Sequence, residues 1–285
     1  MTALWTPSTL TQVDDWPVDH VAAAARMGDG TWTTHGEIDR VFDLASVTKL
    51  LAAVGILVAV EEGAIELDQQ LLPPLSDGDG ATVRHLLAHA GGVGFDSREP
   101  EREPGTRRVY SSAGFDIVAD AVEQEAEMPF ADYLREAVFE PLGMDASALK
   151  GSAGHGARSS VRDLMAFVDE VFSPSLLHPD TVDEALTVQF PGLNGVVPGY
   201  GMQRPADWGL GFEVYGHPDS KQGLWFGSSM PADVVGHFGQ AGTFLWLHRP
   251  TGRAAIALTD RPFGDWAKPL WADFNSELWQ ELAAR

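Results

Sequence analysis

Phe42-Asp43-Leu44-Ala45-Ser46-Val47-Thr48-Lys49 runs on through Leu50-Leu51-Ala52-Ala53-Val54-Gly55-Ile56-Leu57-Val58-Ala59-Val60-Glu61-Glu62-Gly63. From Val47 to Val60 nearly every residue is apolar or small, so a helix here has no broad solvent face and belongs in the middle of a domain. Gly63 supplies the stop. Ser46 and Lys49 stand at i and i+3, which places both on one side of the first turn with Cβ atoms roughly 5–6 Å apart. Free N–H groups at the helix mouth favour an anion at Ser46, and an apolar setting disfavours the ammonium form of Lys49, as a proton acceptor for a serine requires. Ser46 as a plain N-cap is the alternative. Ser-x-x-Lys recurs at Ser147-Ala148-Leu149-Lys150, but after Pro141-Leu142-Gly143-Met144 and before Gly151 it reads as a turn with no apolar helix behind it.

The chain of 285 residues is long enough for one large domain or two joined lobes. Its 41 acidic and 19 basic side chains leave a net charge of −22. With no local basic run, nucleic acid and anionic membrane surfaces are poor partners. The absence of cysteine excludes disulfides, thiol catalysis and thiolate metal sites. No basic n-region or apolar h-region opens the sequence, and the longest apolar run, Leu50 to Val60, is shorter than the about 20 residues a bilayer needs. A cytoplasmic protein with no membrane partner is the expectation.

Val21 to Met27, an Asp29-Gly30 turn and Thr31 to His35 predict a hairpin, the alanines leaving helix as an alternative for the first strand. Thr82 predicts the cap of a helix from Val83 to Ala90 ended by Gly91-Gly92. His85 and His89 on it have a zinc-binding spacing, but Leu86 stands where a metalloprotease has its glutamate. A helix-terminal or core role suits both better, and no metal or cofactor is expected. Ser111 or Ser112 predicts a cap for Ala113 to Glu125, Pro129 a start for Phe130 to Phe139, Ser160 with Asp163 a capping box for Val161 to Phe172, and Pro179 a helix to about Gln189. Strands are predicted over Trp208 to Tyr215, Asp233 to Gly239, Thr243 to His248 and Arg253 to Asp260. A Gly216 to Ala232 loop lies between the first two, with Trp225 and Phe226 as pocket wall or idle surface. An amphipathic helix from Trp266 to Ala284 closes the chain. Strands, then helices, then strands predict an α+β fold in which both chain ends build one antiparallel sheet. Within a single domain over 1–285, the sheet lobe takes 1–75 with 200–285 and a helical lobe takes 76–199.

Ser46 with Lys49, Tyr110 with Ser112, and His237 with Gly239, in that order, resemble the serine hydrolase superfamily of class C β-lactamases, serine D-Ala-D-Ala peptidases and their esterase relatives. Tyr110-Ser111-Ser112 stands where the family has Tyr-x-Asn, and His237-Phe238-Gly239 takes the His-x-Gly form of the Lys-Thr-Gly strand. Glu61-Glu62-Gly63, Val83 to Gly92, Glu103-Pro104-Gly105, Pro141 to Met144 and Trp208 to Phe212 extend the likeness over about residues 20 to 262. His89-Ala90-Gly91 repeats His-x-Gly, but at a helix end rather than on a strand.

The resemblance implies a β-lactamase/transpeptidase-like fold and an acyl-enzyme on Ser46. Lys49 and Tyr110 share the proton work, the tyrosine acting as a base only if positive charge lowers its pKa. The backbone N–H groups of Ser46 and Gln240 form the oxyanion hole, and Ser112, His237 and Gly239 contact substrate, Gly239 by leaving the strand open beside it. Ser112 in place of an amide and His237 in place of a lysine weaken recognition of β-lactams and D-Ala-D-Ala. The expected function is hydrolysis of small esters, with amides as the extension. The alternatives are a β-lactamase or D-amino-acid peptidase, and a silent relative that binds a small molecule or a partner protein. The oligomeric state is not legible.

Overall fold

In the computed structural model, which describes residues 6–216 and 224–284, the alanine run is strand β1 (Val21–Arg26). Its period of two explains the composition. Ala22 and Ala24 enter one apolar cluster and Ala23 and Ala25 another, so both faces are covered and no polar alternation survives. The Asp29-Gly30 turn leads to β2 (Trp32–Gly36), which pairs antiparallel with β1. After β3 (Phe42–Asp43) a 3-10 turn, Ala45–Val47, opens α1 (Thr48–Glu61). There follow α2 (Val83–Leu87), α3 (Ala113–Ala126), α4 (Phe130–Leu134), β4 (Ala148–Leu149), β5 (Ala157–Ser159), α5 (Val161–Phe172) and α6 (Pro179–Leu186). Strands β6 (Gly195–Val197), β7 (Gly201–Gln203), β8 (Glu213–Val214), β9 (Val235–Gly239), β10 (Thr243–His248) and β11 (Arg253–Thr259) precede α7 (Ala267–Ala283).

The main sheet has the order β2-β1-β11-β10-β9-β8, joining both chain ends as the strand–helix–strand pattern predicts. Leu245, Leu247, Ile256 and Leu258 face the layer that holds α1 and α3. Phe244 and Trp246 face α7, with Trp271, Phe274 and Leu278 behind them. Helix α1 buries all residues from Thr48 to Ala59. Each large apolar side chain so buried contributes roughly 1.5–3 kcal/mol, and Leu50, Leu51, Ile56 and Leu57 together offset the cost of burying Lys49 among them.

Several predicted elements differ in extent. Helix α2 stops at Leu87, before Ala90, and His89 takes a left-handed φ of 55° that no helix continues through. The segment Phe130 to Phe139 changes to a π-helical turn over Arg135–Phe139, and α6 ends at Leu186, short of Gln189. Only half of the Ser160 box forms. The Ser160 hydroxyl accepts from Asp163 N–H, while the Asp163 carboxylate accepts from Ala146 N and Ser147 Oγ. Of Trp208 to Tyr215 only Glu213–Val214 is strand. Gly209 N–H folds back to the Phe212 carbonyl, and Gly211, at φ 87°, lies so close to α1 that a Cβ would meet that of Ala53 at 2.3 Å. Residues 217–223 of the predicted 216–232 loop lie outside the described residues. Trp225 and Phe226, close after them, are fully buried core, Trp225 against Phe238 and Phe244 and Phe226 against Trp225 and Tyr215, neither pocket wall nor surface.

Candidate active site

Ala45 holds φ at 45°, a conformation that costs an L-residue about 1–2 kcal/mol. It turns the chain sharply from β3 into α1 and leaves Ser46 at the helix mouth. The turn is pinned from the sheet by Thr243 Oγ1, which donates to the Leu44 carbonyl at 2.9 Å. Gly239 permits that approach, because a Cβ there would lie 2.1 Å from the Leu44 carbonyl oxygen and 3.2 Å from the Ala45 Cβ. The space a side chain at position 239 would need is therefore taken by the turn that carries Ser46.

Lys49, fully buried, donates from Nζ to the Gly154 carbonyl at 2.8 Å, to Ser112 Oγ at 3.1 Å and to Ser46 Oγ at 3.4 Å. Burial pulls its pKa down from 10.5 to about 7, against the carboxylates of Asp116 and Asp96. Its ammonium also lies 4.6 Å from the centroid of the Tyr110 ring. Ser112, 1% exposed, thus spends its hydroxyl on Lys49, while its neighbour Ser111 caps α3 by accepting from Gly114 N–H. Only a carbonyl from the Gly151–Gly156 turn completes the lysine's shell, a contact for which the sequence carried no signal.

Arg108 braces the segment that carries Tyr110. Its buried guanidinium donates to the carbonyls of Ala88, Ala206, Gln189 and Phe190. Val109 N–H donates to the His89 carbonyl and Ser111 N–H to His89 Nδ1. His89 is therefore a buried brace stacked near Tyr110, and His85 is a helix cap whose ring meets Thr82. They diverge because the helix ends between them. Among the described residues no group of three His, Asp or Glu side chains could hold a metal ion.

Tyr110 Oη lies 2.7 Å from His237 Nε2, and His237 Nδ1 lies 2.9 Å from Glu213 Oε2. Trp225 Nε1 donates to the same Glu213 oxygen at 3.1 Å. His237 and Glu213 are both buried. Both ring nitrogens of His237 are engaged by protein, and the residue lines the recess at Ser46. Burial pushes the Tyr110 phenol above its ordinary value of 10, against the lowering effect of its hydrogen bond with Ser46. The condition set for a tyrosine base, a lowering by positive charge, is not met here, where burial raises the phenol's pKa. Glu213 was missed at the level of sequence; its one signal is a lone carboxylate between Phe212 and Val214.

A cavity of about 330 Å³ opens onto Ser46, lined by Tyr110, His237, Gln240, Phe95, Pro198 and Phe238. Phe95, Tyr110 and Pro198 also border a second cavity of about 410 Å³ that reaches Arg102 and Arg107. The nucleophile candidate, two proton-bearing groups and the backbone of Gln240 thus meet at one partly apolar recess, an arrangement suited to acyl transfer.

A family model described as Beta-lactamase matches residues 13–277. The crystal structure of a beta-lactamase from Mycobacterium bovis is 45% identical, superimposes with a TM-score of 0.91, and is aligned over 96% of this chain and 99% of that one. Penicillin-binding protein 4* of Bacillus subtilis is 25% identical over 189 residues, 54% of this chain and 41% of that protein. Esterase EstB of Burkholderia gladioli is 28% identical over 147 residues, 37% of this chain and 38% of that protein. The chain spans less than half the length of either of these two curated relatives that it matches.

Proposed function

The chain belongs to the beta-lactamase family, and from that premise we propose that it hydrolyses small esters through an acyl-Ser46 intermediate. The observation that carries the reading is the buried contact of Lys49 Nζ with Ser46 Oγ at the floor of a recess shared with Tyr110. Ser46 attacks the ester carbonyl, the N–H groups of Ser46 and Gln240 receive the oxyanion, and Lys49 with Tyr110 manages the proton. Phe95, Pro198 and Phe238 give the recess apolar walls for a compact acyl group. No lysine stands on β9 to meet a carboxylate, and both nitrogens of His237 are taken. An esterase among the relatives supports the same reading. Among the described residues no helix is long and apolar enough to cross a membrane.

One observation favours a second reading, cleavage of a β-lactam or D-Ala peptide. The half-buried Arg107 guanidinium lines the adjoining cavity, 3.9 Å from Met202 Sδ, and could take the carboxylate such substrates carry. Intact-mass spectrometry after exposure to a fluorophosphonate, p-nitrophenyl acetate and a penicillin separates the two. The expected result is a fluorophosphonate adduct mapped to Ser46 with turnover of the acetate and none of the penicillin. A lasting penicilloyl adduct selects the second reading, and no adduct from any reagent removes both.

A further inference from the structure

The geometry points to Glu213 and His237 as the pair that drives the Ser46 proton through Tyr110, with Glu213 a positioning residue acting through His237. This inference rests on the acyl-Ser46 reading and says where its proton goes.

The polarity of the chain follows from its far end. An indole N–H can only donate, so Trp225 makes Glu213 Oε2 an acceptor. A carboxylate oxygen has a second lone pair, and His237 Nδ1 at 2.9 Å fills it, placing the ring proton on Nδ1. Burial lowers the pKa of His237, against Glu213, so its ring is neutral at pH 7 and Nε2 is left as an acceptor. At 2.7 Å the Tyr110 O–H donates to it. Tyr110 then has only oxygen lone pairs to offer Ser46, which lines the same recess, so a proton moving between them passes from Ser46 to Tyr110 while Ser46 accepts from Lys49 Nζ. The hydrogen bonds at both ends, Lys49 to Ser46 and Tyr110 through His237 to Glu213, run the same way. Four separate segments are needed to build it: α1, the turn before α3, β8 and β9.

In acylation, Ser46 Oγ forms its bond to the carbonyl carbon as the C=O π pair moves onto oxygen. The Ser46 proton passes to Tyr110 Oη while the Tyr110 proton passes to His237 Nε2, giving an imidazolium beside the Glu213 carboxylate. When the tetrahedral adduct collapses, Nε2 returns its proton to Tyr110 and Tyr110 protonates the departing alkoxide. Tyr110 changes protons without becoming a tyrosinate, which suits a phenol whose pKa burial has raised rather than lowered. The titratable groups facing His237 are Glu213 from β8, Tyr110, Lys49 from α1 and His89 after α2, with the Tyr200 phenol beyond Glu213. Of these only Glu213 favours the imidazolium.

Two measurements test this. In wild-type protein labelled with 15N-histidine, long-range 1H–15N spectra should show His237 protonated at Nδ1 and bare at Nε2 at pH 7; an Nε2–H tautomer or an imidazolium overturns the proposal. Glu213→Gln keeps an acceptor oxygen for Nδ1 and Trp225 but removes the charge. Its acylation rate should fall about 100-fold, the low end of what a positioned acid–base group contributes, with KM nearly unchanged and the acid limb of the rate profile displaced to lower pH. Glu213→Asp should recover part of the rate. Wild-type rates in Glu213→Gln, or a loss with a raised KM and an unmoved acid limb, would overturn the relay. Failure of wild-type Ser46 to acquire a fluorophosphonate would instead sink the acyl-serine reading on which it stands.

Discussion

Two segments of this chain carry the same tetrapeptide pattern, and the fold makes opposite things of them. Ser46 and Lys49 start a helix, where i and i+3 share a face, and the two buried side chains meet at 3.4 Å. Ser147-Ala148-Leu149-Lys150 runs through β4, where neighbours alternate and i and i+3 point apart. Ser147 Oγ turns to Ser159 Oγ and the Asp163 carboxylate, and Lys150 stands exposed in water. A serine with a lysine three residues on is thus chemically undefined until secondary structure fixes the angle between them and burial fixes the lysine's charge.

The widest separation between the two copies should appear in Ser46→Ala, which removes the acyl-enzyme and lowers turnover by about 10⁴-fold or more, whereas Ser147→Ala should leave turnover unchanged. Equal losses by steady-state assay would erase the distinction. Tyr110→Phe comes next, at about 10²–10⁴-fold in the acylation rate by stopped flow, and it asks whether the helical copy works because of its own lysine or because of a third group brought to it. Lys49→Met should abolish activity and stabilise the fold. The folded pKa of Lys49, about 7, lies below its ordinary 10.5, so between those values the unfolded chain holds more proton and stability rises with pH. The variant's advantage should therefore be fullest below pH 7, on the order of 1–4 kcal/mol for replacing a buried charge with a packed apolar chain. It should fade as pH approaches 10.5, as urea unfolding at several pH values will read. The same substitution at Lys150 should shift nothing. A small effect remains for Ser147→Ala in stability, about 1 kcal/mol for its hydrogen bonds to Asp163 and Ser159, measured by the same unfolding curves.

What made α1 legible is what made its serine legible: the eleven apolar or small residues from Leu50 to Val60 admit one reading, and the polar pair at the helix mouth stands out against them. The central strands β1, β10 and β11 carried a similar signal, being buried on both faces and mostly apolar. Glu213 did not, because its meaning depends on Trp225 and His237, residues 12 and 24 positions away that meet it only in space. Gly239 was read against a substrate alone, and its contact with the Leu44 carbonyl had no signal. A glycine announces that something comes close, and sequence alone does not say whether that is a ligand or, as here, the chain's own carbonyl. The two-residue strands β3 and β4 are too short to have a period at all.

The hydrogen bond from Thr243 to Leu44 spans 199 residues of chain. On a ribosome, which extends the chain from its N-terminus, Ser46 and Lys49 emerge long before the hairpin that clamps the turn between them and β3. Loop closure over such a distance is paid only once the sheet's two contributing ends have met. The turn that holds Ser46 is therefore expected to come into register late in folding, and a prematurely terminated chain should carry Ser46 and Lys49 without the geometry that joins them.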